Sequence, residues 1–279
     1  MPIGAIAALF FFTIRQMLRD AKFWAVAAVL LLPCALILTI RYFAPPIKSV
    51  EPLWEFYHSA VQFMFLMGLL PLACMIYGTG LIGAEAESRT IGYLITRRLR
   101  RRTVLLTKFI ATALVLAMLG DAALAALHAL TVTGHDWPSL AAKSGALADW
   151  NPMHDLTVYL GVTALGVVGF LAVFTLIGLL SAKPLALSVF YLVVFELVIS
   201  NLPVGARAYS LIHQLRVTAA GAIPRLTKLF QLPDELTKRL YPAGGSGVPA
   251  ALMIVGAALL IAFVLVTIRE LTPAKVARD

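Results

Sequence analysis

The stretch LTVYLGVTALGVVGFLAVFTLIGLL, residues 156–180, contains no Asp, Glu, Lys or Arg. A helix needs roughly 20 predominantly apolar residues to cross the hydrocarbon core of a bilayer, so this segment predicts a membrane span. Gly161, Ala164, Gly166, Gly169 and Gly178 recur along it. Small residues let helix backbones approach closely, which predicts a span packed inside a bundle more than one facing lipid.

The same character extends outward in both directions. Of 279 residues, 61% are hydrophobic and only 13% are charged, against about 25% charged in a typical soluble domain; the mean hydropathy is +0.90. Too few charges remain to cover a soluble fold of this length, which excludes an ordinary soluble enzyme, a disordered chain and a disulfide scaffold. The expected fold is all-α, a polytopic membrane bundle of six spans. The first runs roughly from Phe23 to Arg41 with a kink at Pro33, and the second from Tyr57 to Ile82 with Pro71 inside. The third covers about Val104 to Thr133 and the fourth Leu156 to Leu180; a tight Ser181-Ala182-Lys183-Pro184 turn leads into a fifth that ends near Asn201, and the sixth covers about Val248 to Ile268. Cys34 and Cys74 both lie in apolar runs, where thiols act as small hydrophobes.

Residues 1–22 read as an N-terminal helix lying in the membrane interface, the alternative being an extension of the first span. Arg15, Arg19 and Lys22 share one helical side and Phe10, Phe11, Ile14, Met17 and Leu18 the other. The segment has neither the basic start nor the small-residue cleavage site of a signal peptide. Residues 23–201 carry spans one to five, and 202–247 form an external connection. There Leu211, Leu215, Val217, Leu226, Leu229 and Phe230 recur at helical spacing, and Pro224, Pro233 and Pro242 break the run. Two or three short amphipathic helices on or dipping into the outer membrane face are expected. Residues 248–279 supply the sixth span and a tail.

The net charge of +9 would suggest nucleic acid in a soluble chain. Here its placement points to the positive-inside rule. Arg15, Arg19, Lys22, the run from Arg89 to Lys108, Lys183, Arg269, Lys275 and Arg278 share one side, whereas the short loops of the other side hold Arg41, Lys48 and Lys143. Both termini are therefore expected in the cytoplasm and the chain in the plasma membrane. The connection 202–247, with Arg207, Arg216, Arg225, Lys228, Lys238 and Arg239, pulls the other way.

The most charged segment is AEAESRTIGYLITRRLRRRTVLLTK, residues 84–108. Glu85 and Glu87 suit the positive end of a helix dipole; Ile91, Leu94, Ile95 and Leu99 form one apolar stripe; Arg97, Arg98, Arg100, Arg101 and Arg102 close it. An amphipathic helix over 84–103 at the cytoplasmic surface follows. Charge alone favours the plainer reading, a cluster that fixes topology and meets anionic headgroups.

This segment resembles the cytoplasmic loop of export-type ABC transporter permeases (ABC type 2). That family carries Glu-x-Glu-x-Gly-Thr, then leucines, then Pro-x-Ser-Arg, then a Lys that opens the third span. Glu85, Glu87, Thr90, Leu94, Arg101 and Lys108 match in order and spacing; Arg89, Arg98 and Arg100 stand where the family has Gly, Pro and Ser. The resemblance implies that 84–103 is a coupling helix that docks on a separate ATPase subunit. It implies an exporter subunit that works as a dimer with a second permease copy or paralogue. No GxxxxGK[ST] phosphate loop occurs in the sequence. The chain is thus expected to be no enzyme and to hold no cofactor or metal, with ATP and Mg bound by the partner, and to bind no nucleic acid.

Ionisable residues inside spans mark pathways or interhelical hydrogen bonds. Asp121 in the third span, with His128 two turns on, and Glu196 in the fifth, flanked by Ser188 and Ser200, are the candidates for a translocation path. Interhelical hydrogen bonding is the other reading of both acids. A secondary transporter is a weaker reading for want of an inverted repeat. A membrane enzyme is weaker still, because His58, His128, His135, His154 and His213 are scattered along the chain.

Overall fold

The computed structural model describes residues 3–43, 51–81, 101–133, 150–202, 205–230, 241 and 245–268. Every element among them is helical. We number them α1 (Ile3–Arg19), α2 (Ala21–Leu30), α3 (Leu32–Phe43), α4 (Glu51–Leu81), α5 (Arg101–Val132), α6 (Pro152–Leu180), α7 (Pro184–Asn201), α8 (Leu211–Ala222) and α9 (Val248–Ile268). Five of these helices are long and apolar enough to cross a membrane: α4, α5, α6, α7 and α9. The bent pair α2 and α3 makes up to six. The protein is a multi-pass helical membrane protein.

Local chemistry explains the breaks. α2 and α3 meet at an angle of 43°, with Pro33 at the second position of α3, where a missing N–H is tolerated. α4 is wound as a π-helix over Ala60–Leu69, ending two residues before Pro71, which cannot donate to the turn behind it. α7 is π-helical over Tyr191–Val198. α6 starts four residues earlier than its apolar run. The Asn151 side chain caps the N–H groups of Met153 and His154, Pro152 takes the first position, and Asp155 sits in the first turn. Trp150-Asn151-Pro152, which reads as a loop turn, is a helix start.

α6 is the central helix: 67% of its best span window is buried, against 22% for α7. It packs on α4, α5, α8 and α9. Its glycines allow this. A Cβ on Gly178 would lie 2.7 Å from the Thr79 carbonyl oxygen, and one on Gly78 of α4 2.7 Å from the Phe174 Cβ. The two helices therefore cross backbone against backbone near Leu81 and Leu180. Gly166 and Gly169 receive Leu215 and Leu211 of α8, while Gly161 faces open space. Cys34 and Cys74 are free and buried. They point at the carbonyls of Ala123 (3.6 Å) and Val167 (3.9 Å) on neighbouring helices.

α8 departs from a surface helix. Its side chains are buried almost throughout, from Leu211 to Val217. Because Leu211 and Leu215 sit on the middle of α6, the chain folds back into the bundle after Asn201 and climbs again through α8. Pro224 ends that climb in a 3-10 turn, Pro224–Phe230. α1 packs on α5.

Candidate functional site

Two buried polar clusters lie in the bundle. The first is where α7 meets α8. Glu196 is fully buried. Its Oε2 accepts from Ser210 Oγ (2.7 Å) and the Ile212 N–H (3.0 Å), and its Oε1 from the Leu211 N–H (3.1 Å) and the Tyr191 hydroxyl. Ser210 also caps α8, its Oγ accepting from the His213 N–H (3.3 Å). A buried carboxylate is costly unless its lone pairs are filled; here each oxygen takes two donors. The free N–H groups and positive dipole of a helix start supply half of them. Ser200 donates to the Glu196 carbonyl, whereas Ser188 is buried without touching the carboxylate. Glu196 thus hydrogen-bonds between elements and anchors the folded-back segment.

Beside it lies a cationic group. Arg207 is buried and contacts His213 Nδ1 (3.1 Å) and the Tyr241 hydroxyl (3.2 Å). Arg216 donates to Asn201 Oδ1 (2.8 Å) and covers the Phe63 ring of α4 at 5.3 Å. Burial, then Arg207 and Arg216, push the His213 pKa down to about 4, so the imidazole is neutral at pH 7.

The second cluster joins α4 to α6. Asp155 Oδ2 accepts from Trp150 Nε1 (2.8 Å) and lies 3.1 Å from His58 Nε2. The other ring nitrogen, His58 Nδ1, is 2.6 Å from the Tyr159 hydroxyl, which Gln62 Nε2 approaches at 3.5 Å. His58, Gln62 and Tyr159 are fully buried. His154 Nδ1 lies 3.4 Å from Asp155 Oδ1, and Tyr57 stands edge-on between His58 and His128. Three histidines that look scattered in sequence, His58, His128 and His154, thus gather around Asp155. The partial signal was Asp155 in the first turn of an Asn-Pro-capped helix; that His58 meets it comes from the packing of α4 on α6.

The other expected site residues are placed less fully. Glu85, Glu87, Thr90 and Leu94 lie outside the described residues. Arg101 opens α5, and Lys108 lies two turns further and is buried. Asp121 is half-buried in mid α5, with one carboxylate oxygen buried and unpartnered, as is His128 Nδ1. Asp121 belongs to neither cluster. Among the described residues no group of His, Cys, Asp or Glu has the form of a metal site.

A family model described as a protein of unknown function (DUF2705) matches residues 24–270. The chain belongs to the DUF2705 family. The DUF2705 match begins inside α2 and ends just past α9, so it takes in all the candidate spans and both polar clusters and leaves α1 outside. No curated protein matches the chain.

Proposed function

We propose that this chain is the transmembrane subunit of an ATP-driven ABC exporter of type 2. The observation that carries the reading is the match of Glu85, Glu87, Thr90, Leu94, Arg101 and Lys108, in order and spacing, to that family's coupling segment. The segment bridges Leu81 of α4 and Arg101 of α5, at the end of the bundle where Arg102 Nε bonds Thr267 Oγ1 (2.6 Å) and ties α5 to α9. A push on such a loop would reach three spans at once.

In this reading α2 and α3 form one kinked span, giving six. Both termini and the 84–103 helix are cytoplasmic, the membrane is the plasma membrane, and α1 lies in its interface. A separate ATPase subunit binds ATP and Mg and receives the coupling helix in a groove, a mode open to any amphipathic helix. A second permease copy or a paralogue completes the transporter. The folded-back α8 becomes an outward-facing plug between spans, held by Glu196.

The test is co-purification of this chain with an ABC ATPase subunit from its own cell. Replacing Glu87 and Leu94 by Ala should abolish association while the permease still folds. Association that survives both changes rejects the coupling role.

A membrane enzyme is the second reading, favoured by the alignment of Asp155, His58 and the Tyr159 hydroxyl within hydrogen-bonding reach. It requires that His58→Gln abolish turnover of a substrate in the absence of any ATPase.

A further inference from the structure

The junction of α1 and α2 carries two adjacent recesses of opposite character. One, of about 490 Å³, is lined by Phe12, Arg15, Gln16, Arg19 and Asp20. Arg15 and Arg19 are one helical turn apart and exposed. The other, of about 170 Å³, is a groove between α2 and α4 walled by Val26, Val29, Leu72, Ala73 and Ile76, with Lys22 at its lower end. Its walls are almost wholly apolar, and Val29, Leu72 and Ile76 open to the bundle's surface at 39%, 37% and 42% exposure. Only Ala21 separates Asp20 of the first recess from Lys22 of the second.

Charge and shape together select an occupant. Among the residues lining the two recesses, Arg15, Arg19 and Lys22 outnumber one carboxylate, Asp20. Asp20 Oδ1 is engaged at the start of α2, accepting from the Lys22 N–H at 3.0 Å. The net positive charge lies at the foot of a lipid-exposed apolar groove, and Trp24, 66% exposed, flanks it as an interface anchor. Paired arginines suit the oxygens of a phosphate diester, and a groove one side chain deep suits the upper methylenes of an acyl chain. We propose that this junction binds one anionic phospholipid, its phosphate between Arg15 and Arg19 and its chain between α2 and α4. The inference goes beyond the transport reading and needs only that the helices lie in a bilayer.

Native mass spectrometry of the full chain, delipidated and then titrated with phosphatidylglycerol or phosphatidylcholine, tests it. A basic residue at an anionic surface contributes about a fivefold gain in binding. With two arginines at the phosphate, the wild type should therefore hold phosphatidylglycerol roughly 25-fold better. Arg15→Gln with Arg19→Gln should bring the ratio below about twofold. Arg15→Lys with Arg19→Lys should retain most of it and show that the fold is intact. Val29→Trp, at the open rim, should weaken both lipids alike. Equal retention of the two lipids by the wild type would overturn the proposal. So would a preference that survives the loss of both arginines, or a Val29→Trp variant that binds as the wild type does.

Discussion

Glu196 and Asp155 are both buried carboxylates on membrane helices, and they are satisfied in different ways. Glu196 takes its hydrogen bonds from the start of α8, from Ser210 and from Tyr191. None of these donors changes charge in the physiological range. Asp155 instead meets side chains, the Trp150 indole at 2.8 Å and the His58 imidazole at 3.1 Å. The first arrangement fixes architecture, because the carboxylate supplies acceptors for the N–H groups at the buried start of α8. The second joins α4 to α6 through side chains alone. The lesson is that an ionisable residue in a span is read by its partners: backbone donors mark a tether for a folded-back segment, and side-chain partners mark a seam between two helices.

The comparison breaks if the two acids respond alike to substitution. Glu196→Ala leaves buried donors unpaired at a helix start and should cost roughly 3–5 kcal/mol. It is read by chemical denaturation in detergent, with new protease cleavage between residues 202 and 230. Asp155→Asn keeps an acceptor for Trp150 and should cost about 1–3 kcal/mol with no new cleavage. If Asp155→Asn is the costlier change, the tether and the seam have been assigned the wrong way round. A double-mutant cycle of His58→Gln with Asp155→Asn should give a coupling energy of about 0.5–3 kcal/mol, whereas Glu196→Gln with Asp155→Asn should be additive.

The smallest effect belongs to His213. Its folded pKa of about 4 lies below the unfolded value near 6.5, so its contribution to stability is present above pH 6.5 and is lost as the pH falls toward 4. Between pH 7 and 5.5 the loss should be about 1 kcal/mol, seen as the difference between the wild type and His213→Phe in thermal unfolding. A pH response identical in the two would mean that His213 is not held neutral by burial, Arg207 and Arg216.

Much of the architecture was legible in the residues. The sixth span has the ends its apolar run predicts, Val248–Ile268, because nothing in that run competes with hydropathy. The kink at Pro33 and the break at Pro224 follow from a missing N–H. The start of α6 is harder to read, because Trp150-Asn151-Pro152 has the composition of a polar turn, although Asn before Pro with an acid in the first turn is a helix-start signature. Glu196 was legible as a candidate, but its partners were not: they come from a segment that folds back, and periodicity gives no sign of depth. The α8 pattern reads as amphipathic, yet its polar residues Gln214 and Arg216 are buried as well, because the Ala208 carbonyl just before α8 and Asn201 at the end of α7 supply their partners. The His58–Asp155 pair joins residues almost a hundred positions apart, and one sequence has no signal for such a contact.

The central claim is that the 84–103 segment couples this bundle to an ATPase. The most direct measurement is ATP turnover by the ABC ATPase that co-purifies with this chain, reconstituted in liposomes with and without it. The account predicts that turnover rises when the wild-type chain is present and falls to the level of the ATPase alone with Glu87→Ala and Leu94→Ala. Turnover that is the same with the wild-type chain, the double variant or no permease would contradict it.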